Sequence, residues 1–336
     1  MPSTRTSRSY LISTLPELAE ADGPPGREEL VRRLAARRLH PSMRRVRVSP
    51  LGSLYAERPS ARGVRLMLEA SLDEDGFIVS HMDRAEIAWV QPAGRIDPDL
   101  SSGASIRFPG GVCATLGVIP SAAGTEAPPR MLADLGADQR GSTLQIGTMG
   151  VFATPWQVER TTISCKAIDG RLGAAIALEV AGRASRSANT LALALTTLGR
   201  LGHRAVRAAA LELAPAAAIA LGAHPVPPKR MPGATDVRPG KGPVVLLRSQ
   251  EYVADLRLVE GLQQAAARAR VPYQLAVAEE DTTGAAGIQS SMEGIPTVAL
   301  LVPCTGVGSP RQRIEIRDLE AAVELLVKWI ERPLTF

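Results

Sequence analysis

From Asp169 onward the chain alternates between helical and strand-like hydrophobic patterns, and this alternation limits its fold more than any other feature. A small-residue apolar helix from Ala174 to Val180 is followed by a strand pattern over Thr190 to Leu198. A helix over Arg204 to Ala209, a strand over Ala210 to Leu213 and a Pro- and Gly-rich loop from Gly222 to Gly242 come next. Then follow a strand (Pro243 to Leu247), a helix (Tyr252 to Arg270), a strand (Tyr273 to Val277), a loop and helix (Asp281 to Met292) and a strand (Pro296 to Val302). A last helix starts at Asp318, read as its N-cap, and reaches Ile330 with Leu319, Val323, Leu326 and Ile330 on one face. Helices inserted between strands must cross over the sheet, so the pattern implies an α/β fold with a mostly parallel sheet sandwiched by helices. In such sheets ligands bind at the carboxyl ends of the strands.

The preceding half has a different character. Residues Pro16 to Leu39 read as a helical pair around the break Gly23-Pro24-Pro25-Gly26, with Glu28 and Glu29 in the first turn of the second helix. Ser49 to Ala56 reads as a turn feeding a strand, and Val64 to Ser71 alternates with strand period. From Phe77 to about Thr162 only short β-type runs separated by Gly, Pro and Asp turns occur: Phe77 to Val79, Ile87 to Val90, Ser105 to Phe108, Ala114 to Ile119 and Val151 to Ala153. We therefore expect a discontinuous α/β domain, residues 1–75 plus 163–336, interrupted by a small β-barrel over residues 76–162.

At 336 residues the chain is long enough for that arrangement. Its net charge of +5 is modest, and Arg-Arg pairs such as Arg32-Arg33 have few aromatics between them, so they read as solvated faces and not as a nucleic-acid surface. Three widely spaced cysteines, Cys113, Cys165 and Cys304, with no C-x-x-C pair, point to a reducing cytoplasm. Met1 to Ser9 has no apolar region behind it, and no run of about 18 apolar residues exists, so neither a secretory signal nor a membrane span is expected.

The functional reading centres on Cys165-Lys166-Ala167-Ile168-Asp169-Gly170-Arg171-Leu172-Gly173-Ala174. An Asp at the start of a helix either caps backbone N–H groups or holds a cation. Other segments decide which, because together they resemble one family. Leu66 to Phe77, reading Leu-Met-Leu-Glu-Ala-Ser-Leu-Asp-Glu-Asp-Gly-Phe, is similar to a strand that ends His-Met-Asp-Glu before Gly-Phe. Lys166 to Gly173 is similar to Lys-Ala-Leu-Asp-Asp-Arg-Val-Gly, and Thr197 to Arg204 lies where Gln-Glu-Glu-Val-Gly is expected. Gly240-Lys241-Gly242-Pro243, Gly287-Ile288-Gln289 with Gly294-Ile295-Pro296-Thr297, and Pro303 to Ser309 match further blocks. The chain thus resembles the glutamyl-aminopeptidase and tetrahedral (TET) aminopeptidase family, which includes proteins labelled cellulase M. The resemblance implies an α/β aminopeptidase domain with a PDZ-like β-barrel insert, two divalent metals, and homo-oligomers, as dimers or dodecamers.

Carried over position by position, the resemblance puts the first His ligand on Ser71 and the bridging Asp on Asp169. It puts the general-base Glu on Gly199, the neighbouring ligand Glu on Arg200, a further acidic ligand on Glu212 and the last His on Gly308. Gly170 stands where a second Asp belongs. Both histidines and the base are absent; Asp73, Asp169 and Glu212 remain. Two-metal sites clamp an intermediate between ions about 3.5–4 Å apart, and a hydrolytic water needs a positioned base. We expect Arg200, with Lys166, to neutralise Asp169 and Glu212 in place of metal.

The leading reading is a pseudo-peptidase that expects no cofactor. It binds a peptide or amino-acid-like ligand in a cleft around Ser71, Asp73, Lys166, Asp169, Arg200, Glu212, Cys304 and Gly308, or scaffolds a partner such as an active paralogue. One alternative is a metal-independent enzyme with a rebuilt site for a peptide or amide, with a Cys–His pair from Cys304 or Cys165 and His203 as its weakest form. The other is a residual metallo-aminopeptidase holding zinc or cobalt on Asp169 and Glu212. His81-Met82-Asp83 has the spelling of a ligand motif but falls about ten residues too late, inside the expected barrel.

Overall fold

The computed structural model describes residues 4–83, 87–121, 127–136, 144–184, 187–227, 236–279 and 282–334. Helices α1 (Thr4–Glu20) and α2 (Glu29–Arg37) lead into strands β1 (Arg44–Val48), β2 (Leu54–Arg58) and β3 (Arg65–Ser71). At the end of β3 the chain leaves the sheet. It forms β4 (Gly76–Met82), β5 (Ala88–Ala93), the short α3 (Pro98–Ser101), β6 (Ser105–Arg107), β7 (Cys113–Ile119), β8 (Arg130–Asp134) and β9 (Met149–Phe152). These six strands close into a barrel in the order β4-β5-β8-β7-β6-β9, all neighbours antiparallel. Phe77 and Phe152 meet edge-to-face inside it, ring centroids 5.0 Å apart.

The chain then returns through β10 (Gln157–Glu159) and β11 (Thr162–Cys165) to α4 (Ile168–Arg183) and β12 (Thr190–Thr196). Next come α5 (Val206–Leu213), β13 (Ala217–Val226), β14 (Val244–Arg248), α6 (Leu256–Ala269), β15 (Gln274–Val277) and α7 (Ala285–Gln289). Strands β16 (Thr297–Thr305) and β17 (Gln312–Glu315) and helix α8 (Ile316–Ile330) complete it. The large sheet runs β1-β2-β12-β3-β13-β16-β17-β11-β10, with β14 and β15 branching from β16. Its centre, β12-β3-β13-β16, is parallel; β14 and β15 also pair in parallel, and the flanks are antiparallel. The central strands are buried on both faces, as parallel strands covered by helices must be. Leu66, Leu68 and Ala70 pack on one side with α1, α4, α6 and α8, while Met67 faces the side of α5 and α7.

Helix α4 is buried from Ile168 to Ala181, which explains its small residues. A Cβ on Gly173 would stand 2.9 Å from the carbonyl carbon of Leu221 and 3.0 Å from Ala70 Cβ, so only glycine lets helix and sheet approach this closely.

Three local expectations are corrected. Ala210 to Leu213 is the end of α5, not a strand: Val206, Ala209, Ala210 and Leu213 are its buried face at helical spacing. The strand comes after it, as β13, and runs through Gly222 into the stretch read as loop; of that stretch, residues 228–235 lie outside the described residues, as does Asp281. Asp318 is not the cap of α8, since Glu315 precedes the helix. Buried in the first turn, Asp318 accepts hydrogen bonds from the backbone N–H groups of Gly240 (2.5 Å) and Gly242 (2.8 Å). Strand β8 was not legible, and among the described residues no helix is long and apolar enough to cross a membrane.

Candidate functional site

Three connections converge where β3 and β12 end side by side, Ser71 opposite Thr196. Leu72 to Asp75 leads from β3 to the barrel, a tight turn at Gly199–Leu201 follows β12, and α4 begins just after β11. The turn is held in an unusual shape. Leu198 and His203 both have positive φ, 59° and 51°, a conformation that costs a residue with a Cβ about 1–2 kcal/mol. Glu28 Oε1 fixes the first by accepting the Leu198 N–H at 3.0 Å, and the His203 N–H bonds the Gly199 carbonyl at 3.1 Å.

This turn aims Arg200 into an acidic cluster. Its Nη2 lies 2.8 Å from Asp169 Oδ1 and its Nε 3.6 Å from Asp75 Oδ1, while its backbone N–H donates to Asp73 Oδ2 at 2.7 Å. The side chains of Arg200, Asp169 and Asp75 are only 7%, 1% and 4% exposed, so the interaction takes place largely out of water. Two glycines make the space. A Cβ on Gly199 would collide with Ser71 Oγ and stand 2.8 Å from Asp73 Oδ1; one on Gly170 would collide with the Asp73 carbonyl and stand 2.9 Å from Arg200 Nη2. Asp169 does not cap α4: Ala167 precedes the helix in a left-handed conformation, and the Asp169 N–H goes to Gln312 Oε1 at 2.7 Å. Of the two roles open to this Asp, it takes that of holding a cation, and the cation is a side chain.

Burial pushes Asp73 up to about 6, against the pull of Arg200, and pushes Asp75 up as well, helped by the neighbouring Asp169 and Asp73 charges. Burial works against the Arg200 charge, but Asp169, Asp75 and Asp73 outweigh it and hold its proton more tightly than usual. His203 is pulled down to about 4 by burial and by Arg200 and Arg95, so its imidazole is neutral.

A second ionic cluster lies behind the first. Lys166, almost wholly buried, pairs with Glu74 at 2.6 Å and Asp22 at 3.1 Å. Arg171 pairs with Glu74 at 3.1 Å and donates to the carbonyls of Leu18 and Leu72. Asp22 also takes Arg107 of the barrel at 2.6 Å. These contacts tie the segment after α1, the start of α4 and the barrel together. The barrel touches the site again through the Arg95 N–H, which donates to Asp75 Oδ1 at 2.8 Å, and through the Asp97 N–H, which donates to the Gly308 carbonyl at 2.8 Å.

In front of Arg200 opens a cavity of about 900 Å³ that Ser71, Asp169, Gly170 and Gly199 line, together with the turn from Gly202 to Arg204, Ser249 and the start of α7. It lies at the carboxyl ends of the central strands, where the topology places ligands.

The structure brings Ser71, Asp73, Asp169, Gly199 and Arg200 together. It does not bring Glu212 to them. Glu212 is on α5, 45% exposed in its side chain and paired with Arg47 at 2.9 Å. The next residue, Leu213, bonds through its carbonyl to Arg65 at the start of β3, roughly 20 Å of strand from Ser71. Lys166 points into the second cluster, not at Asp169. Gly308 is packed against the barrel, where a Cβ would stand 2.7 Å from the Arg95 carbonyl, so no side chain fits there. Cys304 is completely buried and its thiol is pushed up by burial and by Asp169; Cys165, also buried, is pushed up to about 12. Neither has thiolate character for attack. His81 is exposed on β4 of the barrel. Asp75, Ser249 and the arginines at the cavity mouth were not singled out from the sequence. Asp75 had a signal: it is two residues beyond Asp73 in an extended segment, hence on the same side.

Among the described residues no three His, Cys, Asp or Glu side chains are disposed to hold a metal ion. Arg200 occupies the space beside Asp169, and Gly199 and Gly308 have no room for a ligating side chain, so this donor set does not match a two-metal centre.

Comparison with known proteins bears on this geometry. The M42 glutamyl aminopeptidase family model matches residues 52–325. A putative aminopeptidase of Acetivibrio thermocellus is 25% identical over 316 residues, 92% of this chain and 94% of that protein. The TET aminopeptidase from the marine sediment archaeon Thaumarchaeota archaeon SCGC AB-539-E09 superposes with a TM-score of 0.89 at 23% identity, covering 96% of this chain and 97% of that one. The TET1 peptidase of Pyrococcus horikoshii, which can assemble into a tetrahedron or a large octahedral shell, superposes with a TM-score of 0.82 at 21% identity, covering 95% and 99%.

Proposed function

The chain belongs to the M42 glutamyl aminopeptidase family, and on that footing we propose that it is a member in which a buried arginine has replaced the metal centre and the cleft binds its ligand without cleaving it. One observation carries this reading: the Arg200 guanidinium sits 2.8 Å from Asp169, the position to which the resemblance assigns the bridging ligand. A metal at that place polarises a carbonyl and acidifies a water. A guanidinium does not acidify a water: it has no open coordination position and does not deprotonate in proteins. Its role here is to neutralise buried carboxylates and to present N–H donors to the cavity. Gly199, where the resemblance puts the general base, has no group to take a proton from water, and its surroundings admit none.

The ligand class in this reading is a peptide or an amino-acid-like molecule, which suits a cavity of about 900 Å³. Assembly as a homo-oligomer belongs to the same reading, supported by the tetrahedral and octahedral assemblies of the Pyrococcus horikoshii TET1 peptidase. The deciding experiment is metal analysis of the purified protein by mass spectrometry after exposure to zinc, cobalt and manganese, beside an aminopeptidase assay on amino-acid anilides. No stoichiometric metal and no cleavage are expected. About two metals per chain with cleavage would reject the reading, and cleavage without metal would favour a rebuilt enzyme. Light scattering on the same sample reports the assembly.

A further inference from the structure

Arginines are prominent in the wall of the cavity. Four arginines line it: Arg95, Arg200, Arg204 and Arg207. Arg200 is matched from below by the buried aspartates. Arg204 and Arg207 are exposed and are held by neutral oxygens: Arg204 Nε donates to the Leu201 carbonyl at 2.9 Å and Arg207 Nη2 to Ser290 Oγ at 3.3 Å. Two acids, Glu251 and Glu279, also line the cavity and are exposed. Two further groups point to an absent partner. Ser249, a residue of the cavity wall, is 2% exposed and its hydroxyl has no hydrogen-bond partner; Nδ1 of His203, another wall residue, is likewise buried and unpartnered. Buried polar atoms are nearly always satisfied, so orphaned ones on a cavity wall mark where a ligand's polar atoms belong. A hydroxyl and a neutral imidazole can both donate, and guanidiniums only donate.

We infer that this cavity takes the anionic end of its ligand, a carboxylate or phosphate group, against Arg200, Arg204 and Arg207, with Ser249 and His203 supplying neutral hydrogen bonds. The inference rests on the reading of the site as one that binds without hydrolysis, and it gives that ligand a direction: its negative end, not its amino end, goes toward the arginines. A guanidinium meets a carboxylate or phosphate through two parallel N–H donors, so the preference for anions over amines is built into the geometry of the donors.

Calorimetric titration of the intact protein tests this with tri-alanine, its C-terminally amidated form, glutarate, inorganic phosphate and putrescine, each at low and high salt. Binding of the free-acid peptide or glutarate, weakened on the order of tenfold or more by amidation and further by salt, is the expected carboxylate result. Binding of phosphate without the carboxylates assigns the phosphate source instead. Putrescine or the amidated peptide binding as tightly as the free acid overturns the inference, and so does binding by none of the probes at millimolar concentration. The exposed pair Arg204→Gln with Arg207→Gln, which leaves the buried cluster intact, should lose about tenfold in affinity for the anion; unchanged affinity overturns the assignment. The two claims fail separately. Metal-dependent cleavage rejects the non-hydrolytic reading whatever the titrations give, while a protein that neither binds metal nor cleaves, yet ignores every anion, rejects only this inference.

Discussion

Arg200→Met tests the cluster most directly, because it removes the guanidinium while keeping a long side chain in the space. Arg200 is 7% exposed and its partner Asp169 1%, and Asp73 and Asp75 share the same charge. Removing one member of a buried ionic group leaves the others uncompensated and costs about 3–5 kcal/mol. At 2–4 °C per kcal/mol for a domain of this size, the melting temperature should fall by roughly 6–20 °C at pH 8. The loss should depend on pH in a definite direction. Burial holds the Asp73 carboxyl near 6 and Asp75 above its ordinary range, so the folded protein keeps protons that the unfolded chain gives up near pH 4. The stability linked to these two groups is full below the unfolded value and is lost as pH rises through the folded values. Without Arg200 both carboxyls hold their protons more strongly. Near pH 5 they are neutral and need no counter-charge; near pH 8 they must either ionise unpaired or keep protons at a cost. The deficit of Arg200→Met against the wild type should therefore be smaller at pH 5 than at pH 8, the loss of the Asp169 contact being common to both. Melts followed by circular dichroism at pH 5, 6.5 and 8 measure it. A deficit below about 1 kcal/mol at pH 8, or one of equal size at every pH, would refute the cluster as described.

Gly199→Glu, which restores the acid that the resemblance expects, should destabilise the protein by more than 2 kcal/mol in denaturant unfolding and should not confer zinc binding, because its Cβ already collides with Ser71 Oγ. Glu212→Ala should change stability by less than about 1 kcal/mol and leave anion titrations unaltered, since it removes only an exposed pair with Arg47. With an aromatic disulfide reagent the native protein should show one fast thiol, Cys113, and the two buried ones, Cys165 and Cys304, only after denaturation; rapid reaction of Cys304 in the native state would contradict its burial.

Much of this molecule is written locally. The helical spacing in Leu319, Val323, Leu326 and Ile330, the strand alternation before Ser71 and the short β runs after Phe77 each name an element, and their order implies a sheet with helices on both faces and an inserted barrel. The identities at Ser71, Gly199, Arg200 and Gly308, on which the proposed loss of the metal site rests, are read directly from the sequence. Where the sequence misled, a local pattern was ambiguous. The run Ala210 to Leu213 suits a strand or a helix end until its packing against the sheet is known, and Glu212 passed for a ligand because spacing along the chain does not say which end of the sheet a residue faces.

Only the tertiary structure decided what stands beside Asp169. The charge carried by Arg200 is plain from its identity, but its target is not: that depends on a turn with positive φ at Leu198 and His203, on two glycines that leave room, and on Asp75 arriving from the barrel linker. Lys166, three residues from Asp169, turned away from it to a carboxylate ninety-two positions distant in the chain. Charge and hydrophobic period are properties of residues and can be read one at a time. Pairing in a buried site is a property of distances under about 4 Å between segments that meet only when the core is packed, and at that range a low-dielectric interior makes the choice of partner worth several kcal/mol.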